Sequence, residues 1–164
     1  MNKPMTIVGA CLRAIIGVGD VKAFWRIREV ILTKRHSKIL SLFCSMIRRR
    51  YGAGIPVSDK VKPFISPHGF HGIFISEYAS VDEGCTIFQQ VTIGQNGLIQ
   101  DEKNAPIIGA NCYIGAGAKI IGPCTLGENV RVGANAIVVD DIPPNTTVVL
   151  NKPRIIFRSN EGNK

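Results

Sequence analysis

Apolar residues in the first third of the chain recur at the spacing of amphipathic helices. They form two runs, Phe24, Ile27 and Ile31, then Ile39, Leu40, Phe43 and Ile47. A buried helical face produces this pattern of three- and four-residue steps. Gly52 follows a basic run and suits a helix end. The pattern predicts two or three helices, over roughly 5–17, 20–33 and 36–51.

After the helical segments the period becomes six. Two phased runs place one aliphatic residue at every sixth position, and most have a small or slim residue two places earlier. The aliphatic positions are Ile75, Val81, Ile87 and Ile93, then Ile108, Ile114, Ile120, Leu126, Val132 and Val138. The small positions are Ala79, Cys85, Val91, Cys112, Ala118, Cys124, Val130 and Ala136.

A six-residue period belongs to neither a single strand nor a helix. A short strand followed by a turn produces it when each strand points one bulky side chain inward. Stacked turns of this kind bury an aliphatic column and pair each strand with the one above. We therefore expect a mainly β solenoid whose cysteines are small inner residues. The helices should cover one open end, where strand edges are otherwise unpaired.

The repeat is interrupted once, between Ile93 and Ile108, where the gap is fifteen residues. The segment between them, GQNGLIQDEKNAPI, is polar and contains glycine. It is typical of a loop that leaves the solenoid, near 95–106. Functional groups are often carried by loops on a rigid scaffold.

Composition limits the class of protein. The chain has 164 residues, of which 45% are hydrophobic and 20% charged, as in one soluble domain with its own core. Its five cysteines are an odd number without a CxxC pair, which argues against a disulfide framework and a zinc ribbon. We expect a reducing, cytoplasmic location.

The net charge of +8 is concentrated at one end. Residues 1–62 carry thirteen Lys and Arg against three Asp and Glu, whereas residues 63–164 carry seven against nine. The basic part has no nucleic-acid motif or aromatic platform, so nucleic acid is not an expected partner. The segment IRRRYG at 47–52, with Phe24 and Trp25, instead predicts weak contact with anionic headgroups at the inner face of a membrane.

The apolar stretch 5–19 has some features of a signal peptide. Arg13 interrupts it and no small-residue cleavage site follows. It is also too short to span a bilayer. We expect a helix packed on the protein's own surface, with shallow membrane contact as the alternative.

Two of the three histidines, His68 and His71, lie in the stretch SPHGFHGIF. Their spacing leaves three interpretations open: metal ligands, a catalytic base beside a bystander, or two surface residues in a turn. Pro67 restricts Ser66 to an extended conformation, which would fix how His68 leaves the strand.

The C-terminal two-thirds resemble the hexapeptide-repeat acyltransferases, especially serine acetyltransferases and the related sugar or capsular-polysaccharide O-acetyltransferases. The matching segments are HGFHGIFISEYASVDEGCTIFQQVTIG (68–94), IIGANCYIGAGAKIIG (107–122), LGENVRVGANAIVVDDIPPNTT (126–147) and NKPRII (151–156). The resemblance implies a left-handed parallel β-helix with three hexapeptides per coil. We expect an α-helical region over 1–52, an acyltransferase domain over 53–157 and a disordered tail over 158–164.

The resemblance also implies a site. The family works as a homotrimer that binds acetyl-CoA between neighbouring β-helices, with a histidine at a corner as general base. His68 matches this base if its turn accommodates one extra residue, and His71 is then a neighbour that touches the acceptor. Imidazole suits the role because a pKa near 6.5 lets it accept an alcohol proton at neutral pH. Glu77 matches a family glutamate and is a carboxylate candidate near the site.

Two departures bear on the acceptor. Ala53 stands where serine acetyltransferases carry the Asp that orients the base, and the stretch 104–107 lacks their second histidine. The helical region is also short. We therefore predict a sugar or polysaccharide acceptor, with serine as the alternative acceptor, in cysteine biosynthesis. A catalytically inactive scaffold is a further alternative.

Coenzyme A contacts in the family come largely from backbone amides, about once per coil. Carried onto this chain, the cofactor-binding candidates are Gly94, Ala116 and Ala134, with Lys119, Lys152 and Arg154 for the phosphates. No metal is expected. The zinc-dependent β-helix carbonic anhydrases need three converging histidines, and His36 lies in the helical region.

Overall fold

Residues 5–17, 19–34, 37–97 and 101–151 are described by a computed structural model of the chain. Three helices come first: α1 (Ile7–Ile16), α2 (Asp20–Lys34) and α3 (Lys38–Tyr51). They lie where the apolar spacing predicts them.

The chain marks the ends of α1 and α3 with capping residues. Thr6 and Ser37 accept hydrogen bonds from backbone amides of the first turns. Gly17 and Gly52 close the helices in the left-handed conformation, with φ of 78° and 56°. The predicted role of Gly52 as a helix end is confirmed.

Eleven short strands follow in the part of the chain that the structure describes. They are β1 (Phe74–Ile75), β2 (Ser80–Val81), β3 (Thr86–Ile87), β4 (Thr92–Gly94), β5 (Ile107–Ile108), β6 (Tyr113–Ile114), β7 (Lys119–Ile121), β8 (Thr125–Leu126), β9 (Arg131–Val132), β10 (Ile137–Val138) and β11 (Thr147–Val148), with a 3-10 turn at Glu102–Asn104 before β5.

The strands form three parallel sheets. The first sheet has the order β1-β4-β7-β10, the second β2-β5-β8 and the third β3-β6-β9-β11. Consecutive strands belong to different sheets, so the chain visits all three sheets in every coil. Partners such as Lys119 and Ile137 are eighteen residues apart, which is three hexapeptides. We name each bend by the sheets it joins: the 1–2, 2–3 and 3–1 corners.

The repeat residues form the core of the coils. All ten aliphatic positions of the six-residue repeat are 6% exposed or less, and the eight small positions are 1% exposed or less. Cys85, Cys112 and Cys124 are unpaired and buried, as expected for small inner residues. Burial raises the pKa of the Cys124 thiol, which keeps it protonated and unreactive.

The helices cover the open end of the β-helix at its first coil, as expected. Phe24 of α2 packs edge-on against Phe70, with ring centroids 5.3 Å apart, and Trp25 packs against Phe64 at 5.1 Å. Arg28 is buried and donates to the carbonyl of Val61 at 2.6 Å and to that of Ser58. Its guanidinium thus satisfies backbone acceptors at the end of the stack.

This packing corrects the predicted membrane contact of Phe24 and Trp25. Phe24 is fully buried, and Trp25 is half-buried between Phe64 and Phe70. Their hydrophobic surface is used to join the helices to the first coil, so these two aromatic residues are not the ones that could meet lipid.

An ion pair with a buried carboxylate ties the helices to one another. Arg50 of α3 donates to the Asp20 carboxylate at 2.6 Å and to the carbonyl of Ala14 in α1 at 3.2 Å. The Asp20 side chain is fully buried, whereas that of Arg50 is 38% exposed. One arginine therefore connects all three helices.

The interruption in the repeat leaves the coil at a 1–2 corner. The chain departs after β4 and returns at β5, whose Ile108 pairs with Val81 below and Leu126 above. Gln95 donates to the carbonyl of Asp101 at 2.8 Å across the base of the loop. The pairing of the coils therefore continues on both sides of the inserted residues.

Candidate functional site

The 3–1 corners stack into one column along the edge of the β-helix. The amide of Gln90 donates to the carbonyl of His71 at 2.8 Å, that of Gly117 to Gln89 at 3.0 Å, and that of Asn135 to Ala116 at 2.8 Å. We call this ladder the corner column. It places His71 at one end of the edge that also carries Ala116 and Ala134.

The column requires left-handed backbone at one residue in each coil. Gly72, Gln90, Gly117 and Asn135 have φ between 58° and 72°. Glycine adopts this conformation without strain, and asparagine tolerates it better than most residues. Register along the column is therefore set by the local backbone as well as by the buried side chains.

The turn that carries the two histidines is tied down on both sides. Ser66 donates through its hydroxyl to the carbonyl of Gly69, and the Gly69 amide donates back to Ser66 at 3.2 Å. Gly69 has φ of 75°, and a Cβ there would lie 2.7 Å from the Tyr51 ring. Phe70 is fully buried in the aromatic cluster beneath the helices. The turn thus points its hydrophobic residue inward between two outward-facing histidines.

Both imidazoles are exposed and rest against aromatic rings. The His71 ring meets the edge of Tyr51, with centroids 4.6 Å apart, and His68 lies 5.8 Å from Phe88. Phe88 in turn packs against Tyr113 of the next coil at 5.1 Å. Within the described residues, neither imidazole is paired with a carboxylate.

Lys119 brings a positive charge to the corner column. It begins β7, immediately after the corner that contains Ala116, and its ammonium donates to the carbonyl of Gln90 at 2.7 Å. Gly94 ends β4 and lies at the opposite edge of the first sheet. Lys152 and Arg154, the other candidates for phosphate contacts, lie outside the described residues.

Glu77 lies at a different corner from the histidines. It follows β1 at a 1–2 corner and is exposed. With Arg48, Tyr78 and Gln95 it lines a shallow pocket of about 350 Å³ beneath the start of the inserted loop. Within one chain the structure therefore brings His68, His71, Ala116, Ala134 and Lys119 to one edge and places Glu77 at another.

Three aromatic residues that shape the histidine turn escaped the sequence reasoning: Tyr51, Phe70 and Phe88. None of them belongs to the six-residue repeat. The sequence did contain a signal for the burial of Phe70. This residue lies between two histidines in a glycine-rich turn, where an aromatic side chain needs a burial site. The aromatic residues of α2 offered that site.

The arrangement suits proton transfer beside a bound anion. An exposed imidazole can accept a proton from an alcohol, and a lysine at the same edge can meet a phosphate. Among the described residues there is no group of three or more His, Cys, Asp or Glu placed to hold a metal ion.

Comparisons with known proteins agree with this geometry. Residues 105–140 match the family model described as bacterial transferase hexapeptide (six repeats). The serine acetyltransferase of Synechococcus elongatus is 45% identical over 92 residues, which cover 56% of this chain and 37% of that protein. The serine acetyltransferase of Staphylococcus xylosus is 32% identical over 142 residues, or 84% of this chain and 64% of that protein.

The fold is shared with a solved structure. Serine acetyltransferase isoform 3 of Entamoeba histolytica, in complex with cysteine, superposes with a TM-score of 0.70 at 24% identity, over 94% of this chain and 60% of that one. The resemblance to the hexapeptide-repeat acetyltransferases is confirmed. So is the left-handed parallel β-helix with its short helical start.

The match covers only part of the relatives. The chain spans less than two-fifths of the length of the first three curated serine acetyltransferases that it matches. In the part of the chain that the structure describes, no helix has the length and apolar character needed to cross a membrane.

Proposed function

We propose that the protein is an acetyl-CoA-dependent O-acetyltransferase with His68 as general base and L-serine as the first candidate acceptor. The observation that carries this proposal is the corner column, which aligns the histidine turn with Ala116, Ala134 and Lys119 on one edge. The serine acetyltransferase relatives support the choice of serine. No relative reported above supports the predicted role in polysaccharide biosynthesis.

In the proposed reaction, the imidazole of His68 accepts the proton of the acceptor hydroxyl as its oxygen attacks the acetyl carbonyl. Acetyl-CoA supplies an activated thioester, so no covalent enzyme intermediate is needed. The carbon–sulfur bond breaks, and the protonated imidazole returns its proton to the departing thiolate. His71, three residues away, would contact the acceptor. Glu77 is at another corner, so a role for it would require a neighbouring chain.

Coenzyme A would bind along the corner column. The amides of Ala116 and Ala134 donate to no other group among the described residues, and they stand one coil apart. They could therefore meet the amide carbonyls of an extended pantetheine chain. Lys119 would meet a phosphate, together with Lys152 and Arg154. Gly94 lies at the opposite edge of the first sheet, so a contact from it would have to come from the neighbouring β-helix that borders the groove.

The proposal includes a homotrimer, in which the groove lies between two β-helices. An exposed base that has no carboxylate partner among the described residues is consistent with a site completed by a neighbour. Sedimentation velocity would test this directly. A monomer that turns over at full rate would contradict it.

One observation favours a second candidate acceptor. The rings of Phe88 and Tyr113 form a row that starts at the base, His68, and 43% of Tyr113 is exposed. An exposed aromatic row suits a flat, ring-shaped acceptor such as a sugar better than it suits serine. Tyr113→Ala should then raise KM for the sugar and leave kcat/KM for serine unchanged.

Thiol release from acetyl-CoA, measured with L-serine and with a panel of sugars, tests the proposal. His68→Ala should lower turnover at least ~100-fold, the usual contribution of a general base, and His71→Ala should lower it less. The reverse ranking would make His71 the base. No turnover with any acceptor, together with no coenzyme A binding by calorimetry, would show the inactive scaffold instead.

A further inference from the structure

The outer face of α1 is aliphatic. Val8, Leu12, Ile15 and Ile16 are between 55% and 74% exposed. Their spacing puts them on one side of the helix, opposite the buried Ala10 and Ala14. Four large aliphatic side chains on a ten-residue helix are far more than the scattered exposed residues of an ordinary surface.

Exposed aliphatic residues also occur on α3. Ile39 and Leu42 are 69% and 59% exposed. Ile39 and Met46 share a side of α3 with Arg50 because they precede it by eleven and four residues. Arg50 reaches the carbonyls of Ala14 and Ile15, so the last turn of α3 lies beside the end of α1. We call the exposed aliphatic residues of both helices the apolar patch: Val8, Leu12, Ile15, Ile16, Ile39 and Leu42.

Unpaired cations border the apolar patch. Arg13, Lys38 and Arg49 are exposed, and within the described residues none of their side chains forms a hydrogen bond or ion pair. Arg26 and Arg50, by contrast, are paired with Glu29 and Asp20. The side chains of Arg13, Lys38 and Arg49 are therefore available to an anionic partner.

We propose that the apolar patch and its bordering cations bind the surface of an anionic phospholipid bilayer. The aliphatic side chains would enter the boundary between headgroups and acyl chains, while Arg13, Lys38 and Arg49 meet lipid phosphates. The positive charge of the helical region favours an anionic bilayer over a second copy of the chain as the partner of the apolar patch. Residues 1–62 carry thirteen basic against three acidic residues, so two such faces would repel each other.

This surface differs from the one that the sequence predicts. The aromatic residues Phe24 and Trp25 are turned toward the first coil, and Arg48 donates to the carbonyl of Ile55 and the hydroxyl of Ser45. The proposed binding surface therefore uses exposed aliphatic rather than aromatic contacts. It does not depend on the proposed acetyltransferase activity.

Cosedimentation of the full chain with vesicles tests the proposal, without acetyl-CoA. Vesicles of phosphatidylcholine are compared with vesicles containing 30% phosphatidylglycerol, at physiological and at high salt. We expect pelleting with the anionic vesicles only, reduced at high salt because screening weakens the cation contacts. Equal pelleting with neutral vesicles, or none with anionic vesicles, would overturn the proposal.

Two sets of variants separate the contributions. Leu12→Gln with Ile16→Gln should lower the partition coefficient about tenfold. Arg13→Gln with Lys38→Gln and Arg49→Gln should lower it more, since each basic residue near an anionic surface contributes a factor of about five. The matched controls alter exposed residues of the β-helix: Ile107→Gln with Val139→Gln, and Lys62→Gln with Lys103→Gln and Arg131→Gln.

The control variants show whether vesicle binding depends on the apolar patch and its cations. Control variants that bind as weakly as the patch variants would show unspecific charge attraction and contradict a defined surface. Self-association that Leu12→Gln abolishes, without vesicle binding by the parent protein, would show a second copy as the occupant and also contradict it. Thiol release measured without vesicles reports on the acetyltransferase proposal separately, so the two can fail independently.

Discussion

The helices bury their core through contacts that occur once, whereas the β-helix repeats one contact in every coil. In the helices a single ion pair, Asp20–Arg50, joins three elements, and Phe24 and Trp25 fit one aromatic cluster. In the β-helix an aliphatic residue and a small residue recur every six positions. A repeated contact can be predicted from the period of the sequence, whereas a contact that occurs once is found only in the structure.

The histidine turn lies where these two regions meet. Phe70 packs against Phe24 of α2, and His71 against Tyr51 of α3. The same turn begins the corner column of the β-helix through the bond from Gln90 to His71. Any change in how the helices sit on the first coil would therefore reach the candidate base.

The largest expected loss of stability comes from replacing a glycine of the β-helix, compared with a glycine of the helical region. A Cβ at Gly115 would lie 2.7 Å from the amide nitrogen of Ala134 and 2.9 Å from backbone of Gly133. Gly115→Ala should cost about 3 kcal/mol of unfolding free energy, because backbone of the next coil cannot move aside without breaking pairing. Chemical denaturation followed by circular dichroism measures it.

Gly52→Ala is the matched variant in the helical region. A Cβ there meets nothing within 4 Å, and only its φ of 56° opposes the change. A left-handed non-glycine residue costs about 1–2 kcal/mol. Equal losses at the two positions would mean that close coil contact is not the more severe constraint.

The ion pair of the helices gives the second prediction. Arg50→Gln leaves the buried Asp20 carboxylate without its cation and should cost about 2–3 kcal/mol, whereas Asp20→Asn removes the buried charge itself and should cost less. Hydrogen exchange should rise in α1 and α3 and stay unchanged in the β-strands. Exchange that rises throughout would show that the two regions unfold as one unit.

A smaller effect concerns alkaline pH. Burial raises the pKa of the Cys44 thiol in α3 to about 11. The unfolded chain releases this proton at a lower pH than the folded chain, so the stabilising contribution is complete below the unfolded pKa near 8.5 and is lost as pH rises toward 11. Cys44→Ala should reduce the loss of stability between pH 8.5 and 11 by about 2 kcal/mol. Cys11→Ala, at a half-buried thiol, should change it less, and the reverse order would contradict this assignment.

Sequence periodicity predicted most of the β-helix because one rule governs every coil. The rule named the buried aliphatic and small residues, and the interruption between Ile93 and Ile108 located the inserted loop. It was silent on the corners, where Asn111, Asn129 and Asn145 adopt left-handed backbone. Asparagine is common in many kinds of turn, so its presence alone does not specify that conformation.

The site was less accessible to the same reasoning. Sequence placed His68 and His71 in one turn and predicted Ala116 and Ala134 one coil apart, which depends only on register. The resemblance placed Glu77 near the base because Glu77 matches a family glutamate, although the two residues lie at different corners of the triangle. The aromatic contacts of both histidines come from Tyr51 and Phe88, which belong to separate elements.

The inserted loop leaves and re-enters the coil between strands whose partners are fixed above and below. Its length and composition can therefore change over evolution while Val81, Ile108 and Leu126 keep their register. In a scaffold of this kind the coils can be conserved while the loop beside them diverges. Relatives could exchange this segment alone and keep the coils that support it unchanged.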